Sequence, residues 1–306
     1  MEAHGLSGGL GEDALHAIFR SSYAGRKGVS GPGDDCALLR PPAGRAVVHS
    51  VDQLAEGVHV ERGTAPALMA RKLLRRALSD LAAVGAEPWA VSWTVAAPPA
   101  RGGAWLKRLA RAFLAEAAVF RVAVAGGDVS RADALVLTAT VFGLAPAAGV
   151  PGRGGGRPGD VLLVTGALGD AIASGRHLLP EPRLREGARL VERYRPHAMM
   201  DLSDGLARDL PRLCAASGVG ASVRLEDLPL APGLAAGEPG WRAALGDGED
   251  YELLLALPPR RAAEALQDRV LRRTGLRAMG SLEEGATVRW LTEGRRWRPG
   301  KLGWQH

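Results

Sequence analysis

Residues 200–206 read Met200-Asp201-Leu202-Ser203-Asp204-Gly205-Leu206, so two carboxylates stand on either side of a serine hydroxyl. Leucines continue beyond this stretch at helical spacing, at Leu206, Leu210 and Leu213. That spacing predicts a helix with one apolar face directly after the acidic residues. A glycine next to acidic side chains lets the backbone approach a ligand closely. We therefore expect a polar loop that presents its acids at the start of a helix.

Other acidic residues also stand beside glycines or predicted strands. They are Asp34-Asp35 after Gly31-Pro32-Gly33, Asp52 behind the apolar run 46–48, Asp80 late in a predicted helix, Asp128 after Gly126-Gly127, and Glu249-Asp250 after Gly248. Aspartate and glycine are common in turns, so each motif alone predicts a turn as readily as a site. Carboxylate oxygens with room for water and phosphate are the ligands that Mg²⁺ takes in proteins. Together, in a basic chain, these motifs predict a site for several Mg²⁺ ions and phosphate.

The remaining chain alternates between strand and helix patterns, which predicts a mixed α/β protein. Apolar segments typical of strands occur at 46–48, 91–95, 122–124, 135–144, 161–164 and 253–257. Apolar residues at helical spacing occur at 68–81 and at 105–119. The segment 145–159 consists almost entirely of small residues, Gly and Pro, and can sustain neither element. It predicts a boundary between a domain at 1–145 and a domain at 146–306.

Composition and charge exclude several classes of protein. The chain has 306 residues, 46% of them hydrophobic, which is enough for a sizeable core, and no uncharged apolar run is long enough to span a membrane. The N-terminus has no signal-peptide pattern, and two cysteines make no disulfide framework, so we expect a soluble protein of the cytoplasm. The net charge of +6 reflects scattered arginines, since only four of 39 basic residues are lysine. Compositional drift and a polyanion site both explain that charge, but no stripe of basic and aromatic residues indicates nucleic-acid binding.

The common phosphate-binding signatures are absent from the sequence. Gly-x4-Gly-Lys-Ser/Thr does not occur, which excludes a P-loop, and His-Glu-x-x-His does not occur either. The glycine runs at 8–11 and 152–156 follow no convincing strand, so a dinucleotide fingerprint is weak. A nucleotide would then be held by metal ions, backbone amides and scattered arginines.

The acidic motifs resemble, in their order along the chain, those of the thiamine-monophosphate kinase family. That family shares a superfamily with aminoimidazole ribonucleotide synthetase, selenophosphate synthetase and a hydrogenase-maturation protein. The matching stretches are 33–39, 52–59, 78–86, 126–128, 156–160, 200–206 and 248–253. The resemblance runs from about residue 10 to the end. Its most specific part is the combination of Glu56-Gly57-Val58-His59 with the later Asp-x-Ser-Asp-Gly-Leu.

The resemblance implies a two-domain α/β fold of the synthetase type. Residues 1–145 would bind ATP and Mg²⁺ and join their sheet to that of a partner across a homodimer, and residues 146–306 would form an α/β domain for substrate and phosphate. The implied reaction is direct in-line transfer from ATP to thiamine monophosphate, giving thiamine diphosphate. Because the acceptor is an anionic phosphate monoester, it needs no general base. Catalysis would then consist of positioning and charge neutralisation.

Site residues follow from the resemblance position by position. The implied metal ligands are Asp35, Asp52, Asp80, Asp128, Asp201 and Asp204. The implied nucleotide contacts are Ser50, Asp52, Gly127, Asp128 and Arg153. Ser203, flanked by Asp201 and Asp204, would approach the transferred phosphate. The implied substrate site comprises His59, Glu249, Asp250 and Trp304, with Trp304 stacked on thiamine. His59 has an equally simple structural explanation, and Asp204 could serve only to cap the helix after it.

The sequence departs from the family pattern at several positions. Val51 and Val129 replace hydroxyl residues, Ala77 replaces an asparagine, Asp247 replaces a glycine, and the terminal Phe is missing. These departures leave open another ATP-using member of the superfamily or a catalytically impaired homologue. Selenophosphate synthetase is disfavoured because no Cys lies in an N-terminal glycine-rich segment, and the hydrogenase-maturation protein because the chain ends in His306.

Overall fold

The computed structural model describes residues 26–31 and 35–303, which fall into two compact units. The first unit contains the chain up to Leu81 together with Glu87–Leu144, and the second contains Ala82–Ala86 and the chain from Ala145 onwards. The change of unit after Leu144 coincides with the start of the glycine- and proline-rich run, which forms neither helix nor strand between 145 and 160. Within the described residues, no helix is long and apolar enough to cross a bilayer.

The first unit contains a hairpin, a four-stranded sheet and two long helices. In chain order these elements are β1 (Val29–Ser30), β2 (Leu38–Leu39), β3 (Val47–Ala55), α1 (Pro66–Ala83), β4 (Glu87–Ala97), α2 (Gly102–Val119), β5 (Ala123–Arg131) and β6 (Val136–Leu144). The sheet order is β3-β6-β4-β5. Strand β6 is antiparallel to both β3 and β4, whereas β4 and β5 are parallel, as their connection through α2 requires.

Two helices cover one face of this sheet because each carries an apolar stripe. In α1 the stripe is completely buried and comprises Met69, Ala70, Leu73, Leu74, Ala77 and Leu78. In α2 the ring of Phe113 stacks on Trp93 of β4, with 4.2 Å between ring centroids. The residues of β3 that face away from the helices are exposed, and Val51 retains 55% of its surface. The other face of the sheet is therefore accessible along β3, whereas the β1–β2 hairpin packs on residues of β4, β5 and β6.

The second unit is built on a seven-stranded sheet. Its elements are β7 (Val161–Val164), α3 (Leu184–Arg189), β8 (Ala198–Asp201), α4 (Leu206–Ser217), β9 (Gly220–Arg224), α5 (Glu238–Gly246), β10 (Leu253–Leu257), α6 (Pro259–Gln267), α7 (Arg269–Thr274), β11 (Arg277–Glu283), β12 (Val288–Thr292) and β13 (Arg295–Trp297). The strand order is β13-β12-β9-β11-β7-β10-β8. All neighbours are antiparallel except β12 and β9.

The central strands of this sheet are buried on both faces. Every residue of β10 is fully buried, and its side chains alternate between two separate apolar clusters. Leu254 packs with the leucines of α4 on one face, and Leu255 packs with Val191 and Leu271 on the other. A strand covered on both sides has a continuous apolar sequence, which explains Leu253–Leu257.

The predicted elements are present, but two predicted boundaries are wrong. Strand β3 continues past the apolar run to Ala55, so Asp52 lies within a strand and not after it. Strand β5 likewise continues to Arg131 and contains Asp128. The β3 extension alternates between exposed and covered positions, and the β5 extension is largely exposed, so both lack the apolar run that marks a buried strand. Strand β10 begins at Leu253, as expected, after a loop in which Glu249 and Tyr251 adopt positive φ angles of 58° and 53°.

Candidate active site

One group of predicted site residues meets between β3 and α1. The Ser50 hydroxyl donates to Oδ2 of Asp80 at 2.5 Å. Two residues along the strand, Asp52 pairs with Arg76 at 3.0 Å, and both side chains are largely buried. Alternate residues of a strand share a face, and residues four apart share a helix face, so this contact follows from the sequence spacing. The structure thus brings three oxygen-bearing side chains together, with one arginine beside them.

Asp128 and Asp35 lie elsewhere in the same unit. Asp128 is exposed on β5, which forms the edge of the sheet opposite β3. With two strands in between, the two edges are roughly 14 Å apart at about 4.8 Å per strand. Asp35 follows the turn of the β1–β2 hairpin, where Gly31 lies so close to β5 that a Cβ there would come within 3.0 Å of the Ala125 carbonyl oxygen. Within one chain, the structure does not bring Asp128 to Asp52.

Gly127 is required by close packing next to Asp128. A Cβ at this position would lie 2.3 Å from the carbonyl oxygen of Trp93. The glycine therefore allows β5 to run past the Trp93 ring, which is itself stacked on α2.

The tight turn after β3 fixes the orientation of His59. Nδ1 of His59 accepts a hydrogen bond from the backbone amide of Ala55 at 3.0 Å, so a neutral ring carries its proton on Nε2. The completely buried Lys72 of α1 donates from Nζ to the carbonyl oxygen of His59 at 2.6 Å. A buried ammonium group is costly unless it is bonded, so this contact fastens the turn to the helix. The structural and the substrate-binding explanation of His59 are compatible with this geometry.

The loop Asp201–Asp204 is organised by an aspartate further along α4. Asp209 is completely buried, and its Oδ2 accepts from the backbone amides of Ser203 at 3.1 Å and Asp204 at 2.9 Å. Burial is the main cause that raises the pKa of Asp209, and the neighbouring Asp204 charge adds to it. Arg212 bridges both carboxylates, at 2.6 Å from Asp204 and 2.7 Å from Asp209.

Asp204 does not cap α4. The cap position is Gly205, and no side chain caps it. The carboxylate that binds the amides ahead of the helix belongs to Asp209 instead. The capping explanation of Asp204 is therefore wrong, and its carboxylate is held by Arg212 at the side of the loop.

The Asp201–Asp204 loop lies against the loop Gly248–Glu252. Strands β8 and β10 pair with Asp201 opposite Leu253, and the loops then continue side by side. The backbone amide of Glu249 donates to the carbonyl of Ser203, and that of Tyr251 to the carbonyl of Leu202, both at 2.8 Å. Gly248 tolerates no side chain, because a Cβ would lie 2.9 Å from the Ser203 carbonyl oxygen. Two motifs that are far apart in sequence therefore form one surface of the second unit.

Asp250 departs from the expected contact with substrate. Its side chain is 1% exposed and accepts from the amide of Gly169 at 3.0 Å and from Arg176 at 2.9 Å. Burial raises the pKa of Asp250 to about 7, against the opposing effects of Arg176 and the Gly169 amide. Asp250 therefore points into the unit and supports the loop, whereas Glu249 is only partly buried.

The other predicted residues lie in different settings. Arg153 is exposed, and its carbonyl accepts from Ser217 at 2.9 Å, in a glycine run that packs closely against other residues of the second unit. Asp201 is buried at the end of β8. Trp304, Pro32, Gly33 and Asp34 lie outside the described residues.

The residues present fit Mg²⁺ by their chemistry. Carboxylate and hydroxyl oxygens at Ser50, Asp52 and Asp80 are hard ligands of the kind Mg²⁺ prefers, without sulfur or imidazole. Among residues 26–31 and 35–303, no three acidic, histidine or cysteine side chains already form a metal-binding group. Ser50 and Asp52 lie on β3 and Asp80 lies on α1, so an ion bound here would take its ligands from both elements.

Comparisons with known proteins show the family to which the chain belongs. The family models described as AIR synthase related protein match the chain as an N-terminal domain at residues 33–145 and a C-terminal domain at residues 157–287. The thiamine-monophosphate kinase of Caulobacter vibrioides is 34% identical over 297 residues, covering 89% of this chain and 84% of that protein. The chain belongs to the thiamine-monophosphate kinase family.

Solved structures of this family share the fold. The thiamine-monophosphate kinase of Stenotrophomonas maltophilia superposes with a TM-score of 0.82 at 30% identity, covering 93% of this chain and 97% of that one. A structure of AaThiL complexed with AMPPCP and TMP superposes with a TM-score of 0.75 at 26% identity, covering 97% of each chain. The expected two-domain α/β fold is thereby confirmed.

Three of the departures from the thiamine-monophosphate kinase pattern have structural explanations. Val51 points away from Asp52 and Asp80 onto the exposed face, so the lost hydroxyl does not disturb the Ser50 contact. Ala77 belongs to the completely buried stripe of α1. Asp247 is not a superfluous charge, since its Oδ2 accepts from the amide of Asp170 at 2.8 Å.

Sequence reasoning missed the basic residues of the site and Asp209. Arg76 stands one helical turn before Asp80, a spacing that would have revealed it. Asp209 and Arg212 follow the acidic loop on the same helix. Arg176 and Arg183 carry no sequence signal in a chain this rich in arginine.

Proposed function

We propose that this chain phosphorylates thiamine monophosphate with ATP, giving thiamine diphosphate and ADP. The observation that carries the proposal is the contact between the Asp201–Asp204 loop and the Gly248–Glu252 loop. This contact places Ser203 and Asp204, assigned to the transferred phosphate, beside Glu249, assigned to the substrate. The AaThiL complex with AMPPCP and TMP supports the same pair of ligands.

The chain's own residues would act by holding two anions in line. Ser203 offers a hydroxyl next to a phosphate, at a position fixed by the bond from its amide to Asp209. Arg153 would contact the nucleotide phosphates, and His59 would donate from Nε2 to the substrate. Mg²⁺ held by the aspartates would neutralise the repulsion between the two phosphates and stabilise the charge of the transferred group. A phosphate acceptor is already ionised, so no side chain has to remove a proton.

We also propose that the active form is a homodimer that completes the metal site. Asp52 and Asp128 stand on opposite edge strands of one sheet, too far apart to share an ion within one copy. Pairing β3 of one copy with β5 of another would place these two aspartates on neighbouring strands. It would also cover the two sheet edges that have no neighbouring strand among residues 26–31 and 35–303. The exposed Val47 and Val51 support an assembly that covers this face.

Cytoplasmic location is a further part of the proposal. Both cysteines are free, and Cys36 is exposed, as a reducing compartment allows.

An acceptor panel tests the proposed reaction. ADP release should be measured with Mg²⁺-ATP and, in separate reactions, thiamine monophosphate, an aminoimidazole ribonucleotide precursor and selenide. We expect release to depend on thiamine monophosphate alone. Turnover with either other acceptor would indicate another reaction of the superfamily, and no turnover with any acceptor would indicate an impaired homologue.

A further inference from the structure

The segment 165–183, which connects β7 to α3, is tied to residues 247–252 at three points. Each point joins an acidic side chain of the later loop to backbone amides or arginines of the connecting segment. Both segments belong to the second unit. Three carboxylates thus hold the segment 165–183 in place, which is more contacts than a surface turn requires.

The first point is a buried group around Glu252, whose side chain is 2% exposed. Arg183 donates from Nε to Oε2 at 2.7 Å and from its terminal nitrogen to Oε1 at 2.5 Å. The Thr165 hydroxyl adds a bond to Oε2 at 2.6 Å. A two-pronged arginine contact fixes a carboxylate in both direction and rotation. No side chain fits at position 166, where a Cβ would lie 1.9 Å from Glu252 Oε1.

The second and third points hold Asp250 and Asp247. Arg176 donates to Oδ1 of Asp250 at 2.9 Å and to the carbonyl of Gly169 at 2.8 Å, so it bridges the two segments. The amide of Gly169 also donates to Asp250. Asp247 binds the next amide, that of Asp170, at 2.8 Å.

Glu249 lies between these anchored acids in an unfavourable backbone conformation. Its φ is 58°, and that of Tyr251 is 53°, both in the left-handed region that residues with a Cβ avoid. Such conformations persist only where the surroundings enforce them. The inward bonds of Asp250 and Glu252 supply that constraint, whereas Glu249 is partly exposed.

We propose that Arg183 and Arg176 are positioning residues that set the affinity for thiamine monophosphate through Glu249. The inference rests on the proposed function, because it assigns the substrate contact to Glu249. The two arginines do not touch the substrate themselves. They turn the neighbouring acids inward and so fix where the Glu249 carboxylate stands. Their loss should weaken substrate binding more than it slows the transfer of bound substrate.

The test compares Arg183→Gln, Arg183→Lys and Arg176→Gln with wild type and with Arg185→Gln. Arg185 is an exposed arginine two residues further on, for which the structure records no side-chain contact. For each protein, kcat and the KM values for thiamine monophosphate and ATP are measured well below the melting temperature. We expect Arg183→Gln to raise KM for thiamine monophosphate at least tenfold, with kcat and KM for ATP within about threefold. Lysine at 183 keeps the charge but not the two-pronged contact, so its KM should be intermediate.

Several results would overturn the inference. A lowered melting temperature with an unchanged KM for thiamine monophosphate would show that the arginines only stabilise the fold. If Glu249→Gln has the wild-type KM for thiamine monophosphate, Glu249 does not contact the substrate. The two arginines would then have no substrate contact to position. A wild type without turnover on thiamine monophosphate would instead contradict the proposed function. If Arg183→Gln does not fold, Arg176→Gln decides, since Arg176 is 35% exposed and its loss strains the unit less.

Discussion

Replacing Asp204 by Asn should separate catalysis from stability. The amide is nearly isosteric with the carboxylate, and the backbone of the loop stays bound to Asp209. If Asp204 acts on the phosphates, losing its charge should lower turnover at least 100-fold, about 3 kcal/mol of transition-state stabilisation. ATP affinity should change by only a few-fold, because the nucleotide is assigned mainly to the first unit.

The stability of the Asp204→Asn protein should stay close to that of wild type. The Asp204 side chain is 17% exposed and that of its partner Arg212 is 40% exposed, a setting in which an ion pair contributes at most about 1 kcal/mol. Arg212 keeps its bond to Asp209. Removing the Asp204 charge also relieves its repulsion of the buried Asp209, which offsets part of the loss.

Turnover, ATP affinity and thermal melting should be measured together for this variant. Asp227→Asn is the matched control, since Asp227 pairs with Arg224 on the exposed surface outside the site. We expect the control to keep wild-type turnover. Wild-type turnover in Asp204→Asn would remove Asp204 from the catalytic residues. A melting temperature lowered by many degrees would show instead that its role is structural.

Three other experiments test different parts of the account. Asp268→Ala removes the cap of α7 and the partner of the buried Tyr194 hydroxyl. Chemical denaturation should therefore show that the unfolding free energy falls by about 2–4 kcal/mol. A wild-type denaturation curve would refute the capping role. Because the pKa of Asp250 is raised to about 7, the folded state retains a proton that the unfolded chain releases above pH 3.8. Wild type should therefore lose about 3 kcal/mol of unfolding free energy relative to Asp250→Asn as pH rises from 5 to 7, and little more above pH 7. A pH-independent difference between the melting curves would contradict the shift. Asp52→Asn and Asp128→Asn should each be inactive. If each site uses both copies, a mixed dimer keeps one intact site, so an equimolar mixture of the two variants, in which about half of the dimers are mixed, should recover about a quarter of wild-type activity; no recovery would place both aspartates in one copy's site.

The sequence predicted the elements better than it predicted their ends. Helix α1 was evident because its buried stripe repeats at helical spacing. Strand β3 was cut short because its covered positions include Ser50 and Asp52, which no search for apolar runs would count as buried. Polar residues occupy those positions because α1 supplies them with Asp80 and Arg76.

The sequence predicted the acidic residues of the site but not their arrangement in space. Ser203 and Glu249 come together because β8 and β10 are neighbours, and strand order depends on the packing of the whole unit. The inward turn of Asp250 depends on Arg176, which comes from a segment 74 residues away. Neither the meeting of the two loops nor the contact of Asp250 with Arg176 can be predicted from the spacing of residues along the chain. The separation of Asp52 from Asp128 likewise became visible only with the order of the sheet.

The most direct test of the account is the identity of the product. The purified protein should be incubated with ATP and thiamine monophosphate, and the phosphorus NMR spectrum should be recorded with Mg²⁺ and again with excess EDTA. We predict equal amounts of thiamine diphosphate and ADP with Mg²⁺ and neither with EDTA. ADP accompanied by inorganic phosphate without thiamine diphosphate would contradict direct transfer, and product formation in EDTA would contradict the role assigned to the aspartates.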